Sequence, residues 1–190
     1  MSTAKLALRL IIITVVAGLL LGLTYNITAQ PIAEQEAKAA EEARMAVLPS
    51  AQEFEQIDIS SYQSSEEYSV ITEAYSAKTD GQDSGMTVSL CVNGFSAGLN
   101  LTVGVNADGT ISGVQIGSMD ETPGLGANAK NPEFTDQFAG KTAPLEVAKN
   151  SVSSDNQILA LTGATITSRA VTNAVNTAVD FFNEYTGGAQ

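Results

Sequence analysis

The chain has 190 residues, 44% of them hydrophobic and 16% charged, and a formal net charge of −12. That is enough apolar material for one anchoring segment and one packed domain, while the negative charge argues against nucleic acid and anionic membrane surfaces, which need a basic footprint. With no His, no Trp and one Cys, the sequence excludes a Cys/His zinc site, an iron–sulfur site, a c-type haem attachment, a Ser-His-Asp triad and an intrachain disulfide; any redox chemistry must come from an organic cofactor.

The first feature in chain order is an uncharged run from Leu10 to Ala33, densest between Leu10 and Leu23. Extended from Leu6 to Tyr25 it spans roughly 28 Å as a helix, about the thickness of a hydrocarbon core. Lys5 and Arg9 precede it, and Glu34, Glu36, Glu41 and Glu42 follow. The rule that basic flanks stay inside then puts the N-terminus in the cytoplasm and the rest outside. A cleaved signal peptide is the alternative, but the apolar run is long and no small-x-small site closes it. The expected organisation is a cytoplasmic N-terminus and anchor over residues 1–30, a juxtamembrane helix over 31–50, and one extracytoplasmic domain over 51–190.

In the juxtamembrane stretch, Pro31 suits a first helical position, Glu34 and Lys38 form an i,i+4 pair, and Pro49 ends the helix. From Gln52 to Glu67 the composition suggests loop with short strand content. Strands are expected at Ser69–Tyr75, Met86–Val92, Leu99–Val105 and Ile111–Ile116. The polar stretch Thr79–Gly85 reads as a turn, and Asn106-Ala107-Asp108-Gly109 as a hairpin connection. Gly94 and Gly98 flank a tight or bulged connection, and Cys91 reads as a buried structural thiol. Phe134 and Phe138 share one face of a short helix over Asn131–Ala139, with Asn131 as N-cap and Pro132 first. Two further strands, Leu145–Lys149 and Gln157–Leu161, precede a final helix, Arg169–Tyr185. Its apolar stripe is Val171, Ala174, Val175, Ala178, Phe181, Phe182 and Tyr185. The fold class is α+β: one transmembrane helix, then a mixed, mainly antiparallel sheet with packed helices.

Two loops carry the chemistry. In Glu121-Thr122-Pro123-Gly124-Leu125-Gly126 the Pro-Gly pair sets a turn, and the second glycine permits a close backbone approach. In Thr162-Gly163-Ala164-Thr165-Ile166-Thr167-Ser168 four hydroxyls stand where a helix opens, and a helix start favours an anion. Taken alone, this loop is as simply read as an N-cap at Thr167 or Ser168.

Together, in this order, the two loops resemble the flavin-binding domain of the G subunit of the Rnf electron-transport complex. That domain is related to the C subunit of sodium-pumping NADH:quinone oxidoreductase. The run Gly109–Val114 and the single N-terminal anchor are similar to that family as well. The resemblance implies FMN joined by a phosphoester to the hydroxyl of Thr165, the bond being made from FAD by a separate flavin transferase. It implies that Thr162, Gly163, Ala164, Thr167 and Ser168 surround the phosphate, and that Glu121, Thr122, Gly124, Leu125 and Gly126 form the other wall, Leu125 packing on the isoalloxazine. The implied function is an electron-carrying subunit of an ion-translocating ferredoxin:NAD oxidoreductase, with membrane and iron–sulfur subunits as partners and no independent catalytic activity. The alternatives are the C-type subunit of the NADH:quinone enzyme and a membrane-anchored binding module without redox function. One departure stands out: Leu159 occupies the position, three residues before Thr162, where the family's pattern usually has Asp.

Overall fold

The computed structural model describes residues 3–187; Gly188, expected with Gly187 to end the chain loosely, lies outside them. Helix α1 runs from Thr3 to Val47. Its apolar side chains, among them Leu10, Ile13, Leu19 and Leu21, are exposed, and an 18-residue window of it reaches a mean hydropathy of 2.6. It is long and apolar enough to cross a membrane. The helix does not restart at Pro31, which sits inside it. A proline there costs one backbone hydrogen bond, and the strong helix formers on its C-terminal side (Ala33, Glu34, Gln35, Glu36, Ala37, Lys38) carry the helix onward. The chain divides into two compact units, the first ending at Glu42 and the second beginning at Ala43.

The second unit is built on five antiparallel strands in sequential order: β1 (Glu53–Gln56), β2 (Ile71–Thr79), β3 (Gln82–Val92), β4 (Leu99–Asn106) and β5 (Ile111–Ile116). The stretch read as a turn over Thr79–Gly85 is mostly strand. Only Asp80 and Gly81 form the connection, both at positive φ (52° and 76°), with Thr79 paired to Gln82. This is the two-residue hairpin that Asp-Gly favours, and it lets polar residues continue the ladder at the sheet's end. The second hairpin is as expected: Gly109, φ 80°, donates its N–H to Asn106 O at 2.9 Å. Cys91 is only half-buried.

One face of the sheet buries Met86, Val88 and Leu90 of β3 against Leu101, Val103 and Val105 of β4. Helix α3 (Thr165–Tyr185) covers this face. All of its predicted stripe is buried except Tyr185, which is 44% exposed. Phe134 and Phe138 add an edge-to-face pair, centroids 5.5 Å apart.

Across the opposite face, register aligns Tyr75, Thr87, Gly104 and Gly113 in one row over β2 to β5. The last turn of α1 lies on that row. Arg44 stacks over the Tyr75 ring at 4.2 Å and pairs with Glu73 at 3.6 Å. Val47 is buried against the backbone of Gly104 and Gly113, and Leu48 is fully buried. Burying two such side chains contributes roughly 3–6 kcal/mol.

The short helix α2 spans only Pro132–Thr135 and follows a 3-10 turn, Gly126–Lys130. Asn131 does not cap it with its side chain. Strands β6 (Glu146–Ala148) and β7 (Gln157–Leu159) pair in parallel, apart from the main sheet. Asn176 of α3 holds the start of that segment, accepting from Leu145 N–H at 2.8 Å and donating to Leu145 O at 3.0 Å.

An aromatic cluster closes the far end of α3, with Tyr62 5.1 Å and Tyr68 5.7 Å from the Phe181 ring. The Tyr68 hydroxyl donates to Glu184 at 2.7 Å. Burial first, then this bond, pushes the Tyr68 hydroxyl above the ordinary tyrosine range. A folded-state pKa raised in this way gives stability that is complete below the unfolded value, about 10, and is lost as pH rises past it. Tyr68→Phe should therefore cost about 1 kcal/mol near neutral pH and remove the extra destabilisation that the wild type suffers above about pH 10. Thermal melts of both proteins across that pH range check this.

Candidate functional site

Three connections meet at one end of α3: the β3–β4 loop, the segment after β5, and the loop from β7 into α3. The last contains a tight turn. Ala164 N–H donates to Leu161 O at 3.0 Å, and Gly163, third in the turn, takes φ 75°. A type II turn needs that left-handed residue, which glycine supplies without strain. Helix α3 then begins at Thr165, four residues earlier than its apolar stripe suggests, because Ser168 N–H already reaches back to Ala164 O at 3.0 Å. The N–H groups of Thr165, Ile166 and Thr167 are left without an acceptor inside the helix.

The hydroxyls of this turn divide sharply. Thr167 is buried and donates to Glu121 Oε2 at 3.0 Å. Ser168 is fully buried; its Oγ donates to Ala164 O and accepts from Leu161 N–H, both at 3.0 Å. Neither residue caps the helix, and neither hydroxyl is turned toward an outside anion as the sequence reading expected. Thr165 is half-exposed and lines the cleft, and its hydroxyl has no hydrogen-bond partner among the described residues.

The Pro123-Gly124 turn forms as expected, Leu125 N–H donating to Thr122 O at 3.1 Å with Gly124 at φ 79°. Gly126 does permit a close approach, but to protein: a side chain there would run into the Glu121 carboxylate and stand 2.7 Å from Thr167 Oγ1. Leu125 reaches across to the other motif, where a Cβ on Gly163 would lie 3.0 Å from its Cδ2.

The result is a cleft of about 350 Å3 lined by Phe95, Glu121, Thr122, Leu125, Gly126, Gly163, Ala164, Thr165, Ile166 and Thr167. Ligand sites of this size take small molecules and cofactors. Two loops some forty positions apart in sequence thus form one site. Thr162 and Gly124 are exposed and, with Ser168, stay out of the lining. Two lining residues lie outside the expected set, Ile166, within the second loop, and Phe95. Phe95 stands 71% exposed at the rim beside Leu125 and Ile166, which are 43% and 57% exposed. The signal for Phe95 was an aromatic inside a glycine-flanked loop. Glu121 is the one charged side chain in the lining, and it is buried. A larger cleft of about 520 Å3, lined by Glu55, Lys78 and Tyr185 among others, contains no residue of either motif.

The donor set fits a flavin mononucleotide. Exposed apolar side chains at the rim suit a planar ring system. The open N-terminus of α3 suits a phosphoryl group, with no basic side chain in the lining needed. Leu159, in β7, is 39% exposed, and its backbone N–H is bonded to Gln137 at 2.7 Å.

Comparison with known proteins agrees with this fit. A family described as "FMN-binding domain" matches residues 94–180. The G subunit of the Na(+)-translocating ferredoxin:NAD(+) oxidoreductase complex of Acetobacterium woodii is 37% identical over 188 residues, spanning 94% of this chain and 90% of its own. The G subunit of the ion-translocating oxidoreductase complex of Methanosarcina acetivorans is 33% identical, spanning 96% of both. Among solved structures, Shewanella oneidensis NqrC superposes with a TM-score of 0.51 at 25% identity, covering 60% of this chain and 61% of that one.

Proposed function

This chain belongs to the G-subunit family of ion-translocating oxidoreductase complexes, and from that premise we propose that it carries electrons on an FMN held in the cleft and covalently bound through Thr165. The observation that carries the reading is the convergence of the two loops on one cleft with a threonine hydroxyl left unpaired in its wall.

Thr165 is the attachment residue. Its Oγ bonds to the flavin-side phosphorus of FAD, the pyrophosphate bond breaks, AMP leaves with the electron pair, and the hydroxyl proton is released. A flavin transferase catalyses the exchange. The N–H groups of Thr165, Ile166 and Thr167 then receive the phosphoryl oxygens, where the helix dipole favours negative charge. Leu125 and Phe95 pack against the ring and Gly163 keeps the turn open, while Thr167 and Ser168 hold the turn from inside. The bound flavin supplies one- and two-electron redox chemistry; the protein supplies attachment, orientation and an apolar wall.

Residues 1–30 form the cytoplasmic end and the membrane anchor, 31–50 the juxtamembrane part of α1, and 51–190 the flavin domain on the extracytoplasmic side. The charge asymmetry around the apolar run supports that orientation. Covalent attachment suits such a location, where a dissociated cofactor would be lost. The partners are the membrane and iron–sulfur subunits of the complex.

Intact mass of the chain, purified after co-expression with a flavin transferase and compared with the chain expressed alone, tests the reading. The expected result is a mass increase of one FMN phosphoester confined to the peptide containing Thr165. A protein that stays colourless and unmodified would overturn it.

A further inference from the structure

Glu121 is buried, 7% exposed, with no lysine or arginine bonded to it among the described residues. Removing a carboxylate from water costs several kcal/mol unless hydrogen bonds replace the lost solvation. Here three do. Oε1 accepts from Phe95 N–H at 2.8 Å and Ser96 N–H at 3.2 Å. Oε2 accepts from the Thr167 hydroxyl at 3.0 Å. The donors belong to two different segments, the β3–β4 loop and the first turn of α3, and Glu121 itself sits in a third.

The space around the carboxylate is cleared for it. A Cβ on Gly94 would run into Oε1 and one on Gly126 into Oε2. Both glycines are at backbone conformations open to any residue, since neither has positive φ. Their requirement is room, and the group needing the room is the carboxylate. Its oxygens point at protein donors, which makes it poorly suited to touch a phosphate and well suited to hold the walls of the cleft.

We infer that Glu121 is the positioning residue of this site: one buried carboxylate locks the Phe95 loop, the Glu121–Gly126 loop and the start of α3 into the geometry that orients the flavin. This rests on the flavin reading above and assigns Glu121 a role in the frame of the site, away from the ligand. Hydrogen bonds to a charged acceptor are about twice as strong as neutral ones. Loss of the carboxylate therefore releases the Phe95 rim and the α3 turn together.

The test uses the full-length chain co-expressed with a flavin transferase, as wild type, Glu121→Gln, Glu121→Ala and Thr167→Val. Flavin-free samples are read by amide exchange at Phe95 and Ser96. Loaded samples are read by mass and by the visible circular dichroism of the flavin bands, which reports how the ring is held. In Glu121→Ala, exchange at both amides should rise roughly tenfold or more and the flavin dichroism should collapse. Glu121→Gln should restore both to within about twofold, because its carbonyl still accepts the two N–H groups and its amide donates to the Thr167 hydroxyl. Thr167→Val should leave the two amides protected while reducing the dichroism, since it frees only the α3 side. Wild-type exchange and dichroism in Glu121→Ala would overturn the inference, as would Gln behaving like Ala. Should Glu121→Ala fail to fold, Thr167→Val decides, and unchanged flavin dichroism there overturns the inference. A wild-type chain that takes up no flavin would defeat the functional reading instead, and the amide exchange would still judge the clamp.

Discussion

Thr165→Val should abolish covalent flavin while leaving the folded domain intact. Valine keeps the branched shape of threonine and replaces the hydroxyl by a methyl group. At Thr167 and Ser168 the loss of the hydroxyl would also break a structural bond, since both are engaged inside the protein. Thr165 is half-exposed and lines the cleft, and its hydroxyl has no hydrogen-bond partner among the described residues, so stability should change by less than about 0.5 kcal/mol. Flavin attachment should fall from complete to undetectable, because the phosphoester has lost its only oxygen. In-gel flavin fluorescence after denaturation reads the attachment, and a thermal melt reads the fold. Fluorescence persisting in the variant would move the attachment to another hydroxyl.

Gly104→Ala should markedly destabilise the domain through a single added methyl group. Gly104 is buried under the last turn of α1, and a Cβ there would run into the carbonyl oxygen of Val47 and stand 3.2 Å from the Val47 Cβ. The neighbour in the way is backbone, so it cannot rotate aside. Either the end of α1 lifts from the sheet or β4 bends away from it. Overpacking of this kind costs about 1–3 kcal/mol, and a domain of this size then melts on the order of 3–10 °C lower. Gly113→Ala is the matched control. It lies across the ladder from Gly104, and an added Cβ there finds its nearest neighbour at 3.4 Å, an ordinary contact. Strand propensity improves equally in both variants, so the difference between their melting temperatures, measured on the full-length protein in detergent, isolates the clash. Equal melting temperatures would mean that α1 is not seated on this row.

Local chemistry made much of the fold readable in advance. An unbroken apolar run announces a spanning helix, and Asp108-Gly109 announces a hairpin. A stripe at 3,4 spacing announces the buried face of α3. Where expectation and structure differ, the deciding contact is distant in sequence or an element runs past its local signals. Pro31 suits a helix start, but the strong helix formers that follow it extend α1 through this position. Asn131 is a good capping residue by type, yet its backbone carbonyl, and not its side chain, accepts from Phe134 N–H at 2.9 Å and Thr135 N–H at 3.2 Å. Thr167 and Ser168 look like anion ligands in one dimension. In three, Ser168 ties the turn to Leu161 and Thr167 ties α3 to a carboxylate 46 positions away.

Residue pattern established the class of molecule, an apolar run long enough to span a membrane followed by an acidic α+β domain, and the flavin entered through the resemblance of the two loops to a known family. The span and the fold class follow from composition, periodicity and short-range turn geometry, which are encoded within a few residues. Long-range packing settled that the Thr167 and Ser168 hydroxyls turn inward, that Phe95 joins the cleft, and that Gly94 and Gly126 make room for Glu121. These are packing outcomes between segments far apart in the chain, and burial and hydrogen-bond satisfaction assign them only once the segments meet.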